Sequence, residues 1–335
     1  MKKLEGYMKG VNLGGWLSQY NDTTKEYYDT FIVEDDIDRI KNAGFDHVRI
    51  PVDYDILEDE AGNPKEGGYM YLDKCISWCK EKGLNVILDL HKTFGYSFDP
   101  LEKDQDKEIF FHDVAMQERF YSLWDRISKR YGKISIVAFE LLNEIVPFGV
   151  SKEWNAIAHK AAIIVRANAP EAYIIIGGVC YNSIIAVPLL DPPMDDRIVY
   201  NFHCYEPLIF THQRAYWVNN MPDDLVVDYP GDIQDYKEKS ACLDPDLAAA
   251  INKGEITGMG AEYFDKLFVP AIEAAIKNDV PLYCGEYGVI ELAPEDAAKR
   301  WFDDIHSIFD KYGIGHAVWN YKEKDFGSMV QRLFF

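Results

Sequence analysis

Short apolar runs of strand length recur along this chain, and stretches with helical periodicity separate most of them. Runs at 9–14, 46–51, 84–91, 138–144, 173–178, 198–205, 281–286 and 316–320 give eight strand candidates. Helices are predicted over 33–43, 69–82, 113–131, 151–168, 264–278 and 294–312, with Gly44 and Gly83 placed to end the first two and Ser151 as an N-cap. The tail, 321–335, has room for a terminal helical turn or two. Strands that are continuously apolar are buried on both faces, which is the condition of a parallel sheet. Regular alternation of β and α sets the class as α/β. Eight units in 335 residues favour a closed (β/α)8 TIM barrel over an open doubly wound sheet. No G-x-G-x-x-G turn follows the first strand, which weakens the dinucleotide-binding alternative.

The segment 206–262 breaks the rhythm. It holds Trp217, Tyr229, Tyr236, Pro222, Pro230, Pro245 and many acids, but no clear βα unit. Irregular connections of this length in a compact domain are usually functional or disordered. The expectation is an inserted subdomain after the sixth strand, walling one side of a cleft, within a single catalytic domain over 1–335.

In a barrel the C-terminal ends of the strands converge on one face, where the active sites of such folds are built. Here those ends carry Arg49, His91, Asn143, Glu144, His203, Tyr205, Glu286 and Trp319. Singly, each has an ordinary structural reading: an ion pair for Arg49, a satisfied imidazole for His91 or His203, a cap for Glu144, core packing for Trp319. Filling a core needs none of them, however, and buried charges are costly unless paired. Their equivalent positions on successive strands point to a site.

Two facing carboxylates suit glycoside hydrolysis, where one carboxyl protonates the leaving oxygen and the other attacks or activates water. If Arg49 and the Tyr205 hydroxyl hold Glu286 ionised, its charge keeps Glu144 protonated. Asn143 is placed for a sugar 2-hydroxyl, and Trp319 offers a flat face to a pyranose ring.

Composition narrows the partners. A net charge of -21 and a pI near 4.7 argue against nucleic acid or an anionic membrane surface, and fit a neutral substrate. No run of 18 apolar residues marks a transmembrane helix. The cysteines at 75, 79, 180, 204, 242 and 284 read as buried free thiols, which fits a reducing cytoplasm. Cys75 and Cys79 lack the second pair of a zinc site, so neither metal nor organic cofactor is expected. No apolar segment follows Lys2 and Lys3, so no signal peptide is read. The expected setting is the cytoplasm, on imported oligosaccharides, or secretion by a leader absent from these residues. A monomer is expected.

The ordered set Arg49, His91, Asn143-Glu144, His203, Tyr205, Glu286, Trp319 resembles the signature of glycoside hydrolase family 5. The likeness runs from Asn12-Leu13-Gly14-Gly15-Trp16 to Val318-Trp319-Asn320-Tyr321 and is similar to the clostridial endoglucanases, which also carry a subdomain after the sixth strand. It implies a retaining endo-β-1,4-glucanase, extending to mixed-linkage β-1,3-1,4-glucan, with Glu144 as acid/base and Glu286 as nucleophile. The alternatives are a β-mannanase or β-1,3-glucanase on the same scaffold, or a non-catalytic carbohydrate-binding barrel. Two departures stand out. Ile145-Val146 precede Pro147 where many relatives have proline at once, and Lys92 stands where related endoglucanases often have a second histidine. Lys92 puts a cation near the sugar-binding face, so it and the region of Trp217 and Tyr229 bear on which sugar is preferred.

Overall fold

Eight parallel strands close into a barrel in sequence order: β1 (Lys9–Asn12), β2 (His47–Asp53), β3 (Asn85–Lys92), β4 (Val137–Glu140), β5 (Ile174–Gly177), β6 (Ile198–Cys204), β7 (Leu282–Tyr287) and β8 (Gly315–Val318). This is the (β/α)8 barrel that the alternation predicts. The computed structural model describes residues 1–102, 106–253 and 256–335; residues 254 and 255 of the 206–262 segment lie outside the described residues.

The predicted helices are observed as Glu34–Asn42, Glu66–Lys82, Val114–Tyr131, Ser151–Asn168, Ala261–Asn278 and Glu295–Tyr312. Asp113 caps the third, its carboxylate accepting from the N–H groups of Ala115 and Met116. Gly83 closes the second at φ 68°, a left-handed conformation that glycine adopts without penalty. Ser151 is not a cap: a 3-10 turn over Phe148–Val150 runs directly into the helix, so Ser151 already lies inside it. Besides single-turn and 3-10 pieces, two helices among the described residues escape the sequence reading, Lys25–Phe31 and Ile233–Ser240. The tail forms the helix Gly327–Phe334. No described helix is long and apolar enough to cross a membrane.

Side chains alternate across a strand with period two, and in a closed barrel one set points inward. The inward set is layered. Its floor is apolar: Ile87, Ala138, Ile175, Val199, Tyr283 and Ala317 form a cluster separate from the outer core between strands and helices. Two residues further along come Asn12, Arg49, Asp89, Glu140 and Asn201, all completely buried. Beyond them, at the strand ends, stand His91, His203 and Trp319. The runs at 84–91 and 138–144 are therefore not apolar throughout, because Asp89 and Glu140 face into the barrel.

Alternation from Tyr283 would turn Glu286 outward. The register of β7 slips here, so that Cys284 pairs with Phe202 while Glu286 pairs with His203. Such a bulge re-aims a side chain, and it brings Glu286 inward. Gly285 permits it: a Cβ there would lie 2.9 Å from the Asn201 amide.

The 206–262 segment shares the outer core. Val227, Tyr229, Tyr236, Leu243, Ile251 and Ile256 are buried in the same cluster as the barrel helices. The Tyr229 hydroxyl donates to Asp304 at 2.9 Å, fastening the segment to the helix Glu295–Tyr312. The six cysteines are free thiols, five buried; Cys242 is exposed, contrary to expectation, because it lies in a turn after the helix Ile233–Ser240.

Candidate active site

Arg49 is the centre of the polar layer. Its guanidinium donates to both oxygens of Glu140 at 2.7 and 2.8 Å, to Asn12 Oδ1 at 2.9 Å, to Asn143 Oδ1 at 2.7 Å and to Glu286 Oε1 at 2.8 Å. Asp89 Oδ2 lies 3.0 Å away. One fixed cation therefore stands among three buried carboxylates. Burial against the pull of Arg49 pushes Asp89 and Glu140 up to about 7. Removing one partner from a buried ionic cluster typically costs about 3–5 kcal/mol. Arg49→Met is expected to destabilise the fold by that order, read as a lower urea midpoint; an unchanged midpoint would contradict this account of the layer.

Asp89 and Glu140 are the residues that sequence reasoning missed. The available signal was a charge within an otherwise apolar run, two residues before His91 for Asp89 and three before Asn143 for Glu140. Asn12 and Asn201 complete the layer. Asn201 Nδ2 donates to Glu140 at 2.8 Å, and its Oδ1 accepts from Gly285 N–H at 2.9 Å.

The sequence-predicted residues converge above this layer. Asn143 and Glu144 lie just past β4 rather than on it, with Asn143 N–H turned back to Leu90 O at 3.1 Å. His203 Nδ1 is 2.7 Å from Glu144 Oε1 and 3.7 Å from Glu286 Oε2. Tyr205 donates its hydroxyl proton to Glu286 Oε2 at 2.9 Å. One carboxylate oxygen of Glu144, one of Glu286 and a ring nitrogen of His203 lie within 4.8 Å of one another. Inverting enzymes hold their carboxyl groups about 6.5–9.5 Å apart and retaining ones about 5–5.5 Å; a nearest-oxygen approach within 4.8 Å fits the closer arrangement.

The two glutamates sit in unequal fields. Burial raises Glu144 well above the usual carboxylate range, and the charge of Glu286 adds to this. Burial also raises Glu286, but Arg49 foremost and the Tyr205 hydroxyl oppose it. Of the two, Glu144 is raised further, so it is the one that holds a proton more readily. Burial lowers both His91 and His203 well below the ordinary imidazole range, so both are neutral. His91 Nδ1 is 2.5 Å from Asp89 Oδ2, which fixes the ring.

Arg49 fixes the orientation of Asn143 by occupying its carbonyl oxygen. That leaves Asn143 Nδ2 buried, without a partner among the described residues and free to donate. Trp319 is only 5% exposed; its ring lies parallel to that of His91, centroids 5.9 Å apart. Gly14 lets it approach, since a Cβ there would lie 2.5 Å from the indole.

Glu144, Glu286, His91, His203, Tyr205 and Trp319 open onto a cleft of about 690 Å³. Trp217 lines it too, but Tyr229 does not: its ring packs on Phe210 in the core. Lys92 reaches the cleft with its ammonium already engaged, 2.7 Å from Glu102 and 3.4 Å from Asp99.

The family model for cellulase (glycosyl hydrolase family 5) matches residues 6–325. The chain belongs to glycosyl hydrolase family 5. Within this family it is 41% identical over 315 residues to cellodextrinase A of Ruminococcus flavefaciens, covering 94% of this chain and 85% of that protein. It is 40% identical over 324 residues to endoglucanase C of Acetivibrio thermocellus, covering 96% and 92%. Among solved structures, the cellulose synthase subunit Z of Clostridioides difficile superposes with a TM-score of 0.76 at 26% identity, covering 98% of this chain and 96% of that one.

Proposed function

We propose that this family 5 protein is a retaining endo-β-glucanase acting on β-1,4-linked glucan, with Glu286 as nucleophile and Glu144 as acid/base. The observation that carries the reading is the asymmetric pair: Glu286 held by Arg49 and Tyr205, and Glu144 close beside it, raised well above the usual carboxylate range by burial and the Glu286 charge. Glu286 attacks the anomeric carbon as the bond to the leaving oxygen breaks. Glu144 gives that oxygen its proton. Water then attacks the glycosyl–Glu286 ester, giving its proton to Glu144, and Glu286 leaves as carboxylate. Asn143 Nδ2 donates to the sugar 2-hydroxyl, where contacts strengthen in the transition state.

The names of the relatives, an endoglucanase and a cellodextrinase, support β-1,4-glucan chains or their short oligosaccharides as substrate. The 206–262 segment is read as one wall of the cleft, supported by Leu208, His212, Trp217 and Asn219 at its lining. Reducing sugar released from carboxymethyl cellulose, barley mixed-linkage glucan, laminarin and mannan tests the reading, with Glu286→Ala as control. Activity on the first two that disappears in the variant is expected. Activity confined to mannan or laminarin would replace the substrate.

Trp319 is proposed to seat the sugar that Glu286 attacks. Trp319→Ala is expected to lower kcat/KM on cellotetraose about tenfold or more, the order of an aromatic contact plus its buried area. Unchanged KM and kcat would make it a packing residue only.

A further inference from the structure

Every N–H of the Arg49 guanidinium is engaged. Nε donates to Glu140, Nη1 to Asn12 and Glu286, and Nη2 to Glu140 and Asn143, which uses all the hydrogens the group has. Asp89 Oδ2 lies 3.0 Å from Nη2, whose two hydrogens point elsewhere. Asp89 therefore has the charge of Arg49 beside it but none of its hydrogen bonds. Its side-chain partner among the described residues is His91, with Nδ1 2.5 Å from Oδ2. Oδ1 is buried and has no partner among them.

Glu140 is the contrast. Its two oxygens accept from Arg49 at 2.7 and 2.8 Å and from Asn201 at 2.8 Å. Donors aimed at a carboxylate favour its charged form. Burial raises both acids to about 7 against the pull of Arg49, and the hydrogen bonds divide them. As an anion, Asp89 would hold a buried charge with one oxygen bare, and an unsatisfied buried charge is the costliest kind of orphan. As a carboxylic acid it leaves bare only a neutral carbonyl oxygen, while its O–H finds an acceptor in His91 Nδ1. The charged groups facing the pair from the neighbouring strands and loops are Arg49, Glu140, Glu286, Lys92, Asp53 and Asp99. Neither cation among them donates to Asp89, since Lys92 is engaged by Asp99 and Glu102.

The proton on Asp89 fixes a tautomer. A neutral imidazole carries its hydrogen on one nitrogen and accepts with the other. If Nδ1 accepts from Asp89, the hydrogen stands on Nε2. The ring of His91 lines the cleft beside the parallel indole of Trp319. We propose that Asp89 is a positioning residue: it keeps its carboxyl proton, donates it to His91 Nδ1, and so makes His91 Nε2–H a fixed donor to a hydroxyl of the sugar that Glu286 attacks. The common arrangement of a buried aspartate and histidine is the reverse, an anion accepting from Nδ1–H, and it would present Nε2 to the cleft as an acceptor. The substrate half of the inference rests on the reading of Glu286 and Trp319 above; the tautomer does not.

Nitrogen-15 chemical shifts of the imidazole read the tautomer directly. Wild type labelled at its histidine nitrogens is measured at about pH 5, below the value near 7 for Asp89, with His91→Gln supplying the assignment. Nδ1 is expected in the unprotonated range and Nε2 in the protonated one. Kinetics give the second reading. Asp89→Ala is expected to lower kcat/KM on cellotetraose about tenfold or more, because the ring loses the bond that orients it. Asp89→Asn, whose amide N–H takes the place of the O–H, should recover most of that loss and keep the hydrogen on Nε2. Were Asp89 an anion accepting from Nδ1–H, the amide would favour the wrong tautomer, and asparagine would recover nothing. A hydrogen on Nδ1 in wild type, or equal losses in Asp89→Asn and Asp89→Ala, would overturn the proposal. A wild-type protein inert on cellotetraose would overturn the reading above and the substrate half with it, while the shifts, taken without substrate, still decide the tautomer.

Discussion

Glu286→Ala is expected to lower kcat on cellotetraose at least about 10⁴-fold, since no group remains to form the covalent intermediate. The fold should survive the change. Arg49 already faces Asp89 and Glu140, so losing a third carboxylate leaves its charge no less balanced. The variant also makes a hole beside a guanidinium, which is a seat for a small anion. Azide or formate should therefore restore part of the rate on an activated aryl cellobioside, azide giving the α-glycosyl azide because it attacks from the face Glu286 used. A variant with wild-type turnover would remove Glu286 from the mechanism. Inactivity with a collapsed thermal transition would place it in the structure of the barrel instead.

Glu144→Gln should separate substrates by leaving group. With cellotetraose the departing alkoxide needs a proton, and a loss of about 10²–10⁴-fold is expected, the usual range for a positioned general acid. With a dinitrophenyl cellobioside the leaving group needs none, and bond breaking should stay fast. The alkaline limb of the wild-type kcat/KM profile belongs to Glu144, whose raised pKa carries that limb upward, and the variant should lack it. Stability supplies a second reading. Glu144 binds its proton more tightly folded than unfolded, so its contribution is complete below the unfolded value near 4.3 and is lost as pH rises towards the folded one. The amide carries no such loss. The variant should melt above wild type at pH 7, with the gap closing towards pH 4. Equal losses on both substrates would contradict an acid role.

The barrel was legible because its signals are local and repeated. Runs such as 198–205 and 281–286 are strands in the structure as read, and Gly83 ends its helix where the sequence places the stop. The ring of strand-end residues was legible for a topological reason: strand ends in a barrel meet, so residues distant in sequence could be gathered before any contact was known. What escaped depends on direction and on pairing. Asp89 and Glu140 look like interruptions of apolar strands until period-two alternation places them under Arg49. Glu286 faces inward only because β7 slips by a residue, and no propensity encodes that slip. Tyr229 and Trp217 read alike in an irregular segment, yet one is core and the other lines the cleft. The left-handed conformation of Cys180 and Tyr181 after β5 has no sequence signal, because the glycines precede it and neither residue type favours it.

The central claim is that Glu286 becomes covalently glycosylated while Glu144 manages the proton. Inactivation with a 2-deoxy-2-fluoro-β-cellobioside, digestion and mass spectrometry of the peptides tests it directly. The fluorine slows both formation and hydrolysis of the ester, while an activated leaving group restores the rate of formation only, so the intermediate accumulates. The account predicts one fluorocellobiosyl mass increment, on the peptide containing Glu286 and at that residue. An increment on Glu144, or turnover that yields the α-anomer with no adduct at any residue, would contradict it.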